Sequence, residues 1–141
     1  MADAPVTGAL VTGASSGIGA AIARELHRRG NHVILVARRA DRLNELAAEF
    51  GMRSSVVPAD LSRREDRADL PGRVAALGLT VDVLVNNAGL AVMGTQQHAD
   101  PEAELNVVEV DVAAVADLCI RFLPDMVARG RGAVLNVASV G

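Results

Sequence analysis

Val11-Thr12-Gly13-Ala14-Ser15-Ser16-Gly17-Ile18-Gly19 joins an apolar run, Ala9-Leu10-Val11, to a segment of helical spacing. The first turn of a helix leaves backbone N–H groups unpaired and carries partial positive charge, so a glycine-rich turn in that place suits a phosphate. Gly13 permits the tight turn, Gly17 lets a pyrophosphate come close, and Gly19 lets the helix pack on its strand. The spacing is G-x-x-x-G-x-G, not the commoner G-x-G-x-x-G. Glycines also mark ordinary loops. What raises this turn above them is its setting: a strand before, a helix after and a second strand close behind.

Outward from the turn, Ile18, Ala21, Ile22 and Leu26 share one helical face. Arg28 and Arg29 suit the negative end of that helix, and Gly30 supplies a stop. His32 to Ala37 reads as a second strand. Leu43, Leu46, Ala47 and Phe50 predict a helix that Gly51 closes. A third strand over 54–58 leads into Ala59-Asp60-Leu61. Ser62-Arg63-Arg64-Glu65 has capping-box spacing and predicts a helix start, with Pro71-Gly72 dividing that helix into two short pieces. A fourth strand over 81–85 runs into Asn86-Asn87-Ala88-Gly89.

A loop over 90–99 precedes Asp100-Pro101-Glu102, which offers a capping residue, proline at N1 and an acid in the first turn. From Leu105 to Val127 the sequence is apolar almost all round. Such a helix is expected to be buried on every side, one face on the sheet and the other on a second partner. Gly130-Arg131-Gly132 turns the chain into a fifth strand over 133–138, ending at Ser139-Val140-Gly141. Strands alternating with helices predict an α/β fold with a parallel sheet, whose ligands sit at the carboxyl ends of the strands near the switch in strand order. Gly13, Arg38, Asp60, Asn87 and Ser139 each fall just past the carboxyl end of a different strand.

The 141 residues fit a single domain, 1–141, long enough to bury a core. Half are apolar and almost none aromatic, so Val, Leu, Ala and Ile build the interior, as in strands buried on both faces. A net charge of −3 argues against nucleic acid as a partner. Cys119, the one cysteine, excludes an internal disulfide and suits a reducing compartment; within the apolar helix it reads as a core thiol. With no basic-then-apolar leader and no apolar run of spanning length, a cytoplasmic protein that does not enter a membrane is expected. His27, His32 and His98 lack metal-ligand spacing, so no metal site is expected.

The second strand's end bears on the nucleotide, unless Arg38 and Arg39 there form only a solvated helix start. In dinucleotide folds an acid there grips the ribose 2′-hydroxyl. Here the stretch is Val36-Ala37-Arg38-Arg39, with no carboxylate before Asp41. An acid would repel a 2′-phosphate by about 4 kcal/mol at close range in a partly screened site. An arginine would instead form charge-assisted bonds of about 1.5–3 kcal/mol each. The sign of the local charge favours NADP(H) over NAD(H).

Thr12-Gly13-x-x-x-Gly17-x-Gly19, Asp60-Leu61, Asn86-Asn87-Ala88-Gly89 and Val137-Ala138-Ser139, in this order and at these separations, resemble the short-chain dehydrogenase/reductase family over nearly the whole chain. The resemblance implies a Rossmann-like, doubly wound sheet of strand order 3-2-1-4-5 and an NADP(H)-dependent oxidoreductase that moves a hydride to or from an alcohol/carbonyl group of a small molecule. It implies that Ser15, Ser16 and Ile18 contact the phosphates and ribose, Arg38, with Arg39 beside it, the 2′-phosphate, and Asp60 and Leu61 the adenine. Asn87, Ala88 and Gly89 would pass beside the cofactor and brace the sheet, and Ser139 would be the catalytic serine that hydrogen-bonds the substrate oxygen.

Two positions depart from the family pattern. Asp111 stands where the family carries a catalytic Asn, at a set distance before Leu123-Pro124, which alters the water-linked proton path that the Asn holds. The family also needs a Tyr-x-x-x-Lys pair about a dozen residues beyond the serine, and the 141 residues contain neither tyrosine nor lysine. Hydride transfer to a carbonyl needs a proton donor at the oxygen. The expectation is an amino-terminal portion of a reductase, cut just past strand five, without turnover of its own. It would be marginally folded or held together by homo-oligomer contacts through the helix of Leu105–Val127. The competing expectation is a non-catalytic module that binds NADP(H) or a partner. A methyl transferase on the same sheet needs an acid after strand two, and Ala37-Arg38 argues against it.

Overall fold

The computed structural model describes residues 4–139; Val140 and Gly141, read as the close of the fifth-strand segment, lie outside the described residues. The strands are β1 (Val6–Thr12), β2 (His32–Val36), β3 (Ser54–Val56), β4 (Leu79–Asn86) and β5 (Ala133–Asn136). They form one five-stranded sheet in the order β3-β2-β1-β4-β5, with every neighbouring pair parallel. This is the Rossmann-like arrangement expected from the sequence. The chain winds outward from β1 to β3, then returns past β1 to place β4 on its other side. The switch in strand order therefore falls between β1 and β4, beside the glycine turn.

Apolar strands need cover on both faces, and the period of two along each strand divides their side chains between two cores. Leu10, Ile34, Val36 and Leu84 enter one core, and Val11, Val33, Leu35 and Val85 the other. Helices α1 (Gly17–Arg28) and α2 (Ala40–Phe50) cover the second face through Ala20, Ala23, Leu43, Leu46 and Phe50. Helix α3 (Arg64–Ala76) and the long helix that follows β4 cover the first through Leu70, Val74, Leu118 and Phe122.

That long helix opens as its residues predict, with the Asp100 carboxylate accepting from the Glu102 N–H at 3.1 Å and Pro101 in the first turn. It runs as α4 (Pro101–Val108), a π-helical turn (Glu109–Ala113) and α5 (Ala114–Arg129) without a break. Gly130, at φ +70°, ends it in the left-handed conformation.

Several local expectations are corrected. Helix α3 is continuous through Pro71 instead of divided there. Proline removes one intrahelical bond, but Leu70 and Val74 on either side of it are fully buried, and their packing holds the helix together. The capping box does not form: the Ser62 hydroxyl donates to the Asp60 carboxylate at 2.7 Å, and Arg63 is the residue at the helix boundary. On α1 the buried face is Gly19, Ala20 and Ala23; Ile18 and Ala21 are exposed, because the helix lies close against the sheet on its smallest residues. The outer face of the long helix is bare. Leu105, Val108, Val112, Ile120, Leu123 and Val127 are exposed, since the chain's own elements cover one side of that helix and not the other. Strand β4 is longer than expected, and β3 and β5 are shorter.

Candidate nucleotide-binding site

Threonine at the end of β1 sets the geometry of the site. Thr12 is buried, and its Oγ1 accepts from the backbone N–H groups of Asn87 and Ala88 at 3.0 Å each while donating to the Val85 carbonyl at 3.3 Å. Asn87 returns the grip: its Nδ2 donates to the carbonyls of Thr12 at 3.1 Å and Gly13 at 3.3 Å. The turn after β1 and the loop after β4 are thereby latched together.

Their approach leaves no room for side chains at two glycines. A Cβ on Gly13, whose φ is +63°, would lie 2.8 Å from the Ala88 Cα. A Cβ on Gly19 would run into the Gly13 carbonyl and the Asn87 Nδ2. Gly19 thus seats α1 against the turn and Asn87, a closer contact than the helix-on-strand packing expected of it. Gly17 takes a φ of +57° with open space around it, so among protein contacts only the path of the backbone asks for glycine there.

Above this latch lies a cleft of about 420 Å³ at the carboxyl ends of the strands. Gly13, Ser15, Ser16 and Ile18 form its wall on the glycine-turn side. Ala37, Arg38 and Arg39 come from the end of β2, and Ala59, Asp60, Leu61 and Ser62 from the loop after β3. Asn87, Ala88, Gly89 and Leu90 follow β4, and Asn106 and Val110 reach in from the long helix. Nearly all of the residues expected at a cofactor meet in this one place; Gly17 and Gly19 shape the turn beneath it instead of lining it. Among the described residues there is no group of His, Cys, Asp and Glu fit to hold a metal ion.

The electrostatics of the cleft favour an anion. The first turn of α1 contains no acidic residue, and no side chain caps it, so its N–H groups and partial positive charge face the cleft uncontested. Arg38 and Arg39 are exposed at the rim; Arg39 lies 3.8 Å from Asp41, and among the described residues no carboxylate pairs with Arg38.

The two residues expected at the chemistry are not in the cleft wall. Asp111 sits in the π-helical turn, and its Oδ1 accepts from the Leu90 N–H at 2.8 Å, which ties the loop after β4 to the long helix. Ser139 is exposed, a short way past the end of β5. The sequence reading missed Ala37, Ala59, Ser62, Leu90, Asn106 and Val110. The first four adjoin residues it named. Asn106 and Val110 are four apart on one helical face, a signal that their apolar surroundings hide.

Behind the Leu61 wall lies an ion cluster centred on the buried Arg67, with partly exposed partners. Arg67 pairs with Asp117 at 2.9 Å and Glu109 at 3.0 Å, and Arg121 holds the second Asp117 oxygen at 2.7 Å. Burial works against charge on Asp117, but hydrogen bonds from Arg67 and Arg121 outweigh it and hold the carboxyl below its ordinary value. A depressed folded value means that the unfolded chain takes up this proton first. The stabilisation is complete above pH about 4 and is lost as pH falls through the folded value. Urea midpoints followed from pH 7 to 3 are expected to fall on the acid side, with a shallower fall in Asp117→Asn.

The family model described as short chain dehydrogenase matches residues 7–141. Nodulation protein G of Rhizobium meliloti (strain 1021) is 42% identical over 133 residues, covering 94% of this chain and 54% of that protein. A metagenomic short-chain oxidoreductase solved in complex with NADP superimposes with a TM-score of 0.87 at 37% identity, covering 96% of this chain and 63% of its own. A short-chain dehydrogenase from Sphingobium yanoikuyae in complex with NADPH does so with a TM-score of 0.85 at 36% identity, covering 96% and 54%. The chain spans about half the length of the curated relatives it matches. Sheet order, glycine turn and a family match running from β1 to the last residue agree: the chain belongs to the short-chain dehydrogenase/reductase family.

Proposed function

We propose that the protein is an NADP(H)-dependent oxidoreductase acting on an alcohol or carbonyl group of a small molecule. The observation that carries the nucleotide is the meeting of an acid-free helix start with Arg38 and Arg39 in one cleft. The residues fit a dinucleotide: Gly13 turns the chain at a positive φ, and the α1 N–H groups lie where a pyrophosphate would be received. Ser15, Ser16 and Ile18 would hold the phosphates and ribose, Arg38 and Arg39 the 2′-phosphate, and Asp60 and Leu61 the adenine. Asn87, Ala88 and Gly89 form the floor beside it. The bound cofactor supplies or accepts the hydride.

For the chemistry, Ser139 is the proposed hydrogen-bond donor to the substrate oxygen, and Asp111 keeps the loop at Leu90 in place. A proton donor must stand at that oxygen. With neither tyrosine nor lysine among the 141 residues, we propose no turnover by these residues alone. The solved neighbours bearing NADP and NADPH support the cofactor, and a relative named very-long-chain 3-oxoacyl-CoA reductase, from Anas platyrhynchos at 34% identity, supports the carbonyl class. The exposed apolar stripe from Leu105 to Val127 supports association of copies through that helix, and the thiol of Cys119 suits a cytoplasmic setting.

Charge reversal tests the cofactor. Arg38→Asp removes bonds worth about 1.5–3 kcal/mol and adds repulsion, so NADPH affinity is expected to fall by on the order of a hundredfold or more. NADH affinity should stay within a few-fold. Fluorescence titration of both nucleotides checks this; wild-type protein that binds NADH as tightly as NADPH would remove the proposal.

A further inference from the structure

One guanidinium holds two walls of the cleft from behind. Arg67, on α3, is 4% exposed. Its Nη1 donates to the Leu61 carbonyl at 2.8 Å and to Glu109 Oε2 at 3.0 Å, and its Nε donates to Asp117 Oδ2 at 2.9 Å. Leu61 lines the cleft on the β3 side. Glu109 is the chain neighbour of Val110, which lines it from the long helix. The donors of a guanidinium are planar and set at fixed angles, so they fix the relative positions of the acceptors they hold. Asp117 is itself held by Arg121, which gives the fork a steady anchor.

The loop that carries Leu61 is ordered locally around Asp60. The Asp60 carboxylate accepts from the Ser62 N–H at 3.0 Å, and the Asp60 N–H donates to Asp66 at 2.7 Å. Those bonds shape the loop but do not connect it to the long helix. Arg67 makes that connection. It does not line the cleft, so its mechanical link to a ligand runs through Leu61 and through Val110 beside Glu109.

We infer that Arg67 is a positioning residue for the adenosine half of the nucleotide site, setting the gap between Leu61 and Val110. The inference rests on the nucleotide reading above. It has a specific consequence: ligands that enter that gap depend on Arg67, and ligands confined to the glycine turn do not. A loss of folded protein behaves differently, because the unfolded fraction binds neither kind of ligand and both apparent affinities drop in proportion.

Calorimetric titration of the whole chain with adenosine 2′,5′-bisphosphate and, separately, with inorganic pyrophosphate distinguishes the two. Arg67→Met keeps the buried bulk and removes every donor. It is expected to weaken the bisphosphate by on the order of tenfold and to leave pyrophosphate within about twofold. Glu109→Gln retains an acceptor and leaves the Leu61 bond intact, so both affinities should stay near those of wild type. If circular dichroism shows Arg67→Met unfolded, Arg67→Lys, which keeps the charge but lacks the fork, takes its place with the same expected split between probes. Equal losses for both probes, or no loss for either, overturn the inference. Wild-type protein that binds the bisphosphate, with Arg67→Met binding it as tightly, removes the inference alone. Wild-type protein that binds neither the bisphosphate nor NADPH removes the nucleotide reading and this inference with it.

Discussion

Replacing Gly19 with alanine is expected to abolish NADPH binding and to destabilise the fold by about 3 kcal/mol or more. The added methyl group runs into the Gly13 carbonyl and the Asn87 amide nitrogen. Neither can give way cheaply. The first is backbone within a turn at φ +63°, and the second is held by the carbonyls of Thr12 and Gly13. Relief requires α1 to move off the turn, which displaces the N–H groups that face the cleft. Gly17→Ala is the informative companion, because it meets no neighbour and adds only the strain of a positive φ, about 1 kcal/mol. Urea unfolding with NADPH titration should rank wild type, Gly17→Ala and Gly19→Ala in that order. A Gly19→Ala protein that binds NADPH like wild type would show that the turn is not the phosphate site.

Thr12→Val is expected to lower stability by about 2–3 kcal/mol, on the order of 8 °C in melting temperature, and to weaken NADPH binding with it. Valine matches threonine in shape, so the effect isolates the hydroxyl. Its loss leaves the Asn87 and Ala88 N–H groups without their acceptor and the Val85 carbonyl without one donor. Asn87 and Ala88 are part-exposed at the cleft, and water offsets some of the cost there. Thr12→Ser keeps the oxygen and should recover most of the loss. Thermal melts of the three proteins, each with and without NADPH, measure both effects.

The path of the chain was legible because local and global signals agreed. Val33 to Val36 is apolar on both faces and is buried on both; Asp100-Pro101 opens a helix where its chemistry says one should open. Most of the site was legible for the same reason, since Gly13, Arg38, Asp60 and Asn87 sit at strand ends, where α/β sheets gather their ligands. What escaped depended on contacts distant in sequence. Pro71 looks like a break until Leu70 and Val74 are seen in the core. Ser62 looks like a cap until the Asp60 carboxylate is found within reach. Arg67 looks like one more charged residue in a polar helix, and nothing near it foretells partners at Glu109 and Asp117. Ile18 carries two signals: its spacing puts it on the apolar face of α1 and the family resemblance puts it at the cofactor, and the structure turns it into the cleft.

The central place of β1 bears on how the protein is made. It pairs with β2 soon after both have left the ribosome, but its other flank waits for β4, some 73 residues later at the bond between Thr12 and Val85. At synthesis rates of about 5–20 residues per second, that flank stays open for roughly 4–15 s. During that interval the nascent chain displays an apolar half-sheet, and its yield in cells should depend on chaperones that bind it before β4 emerges.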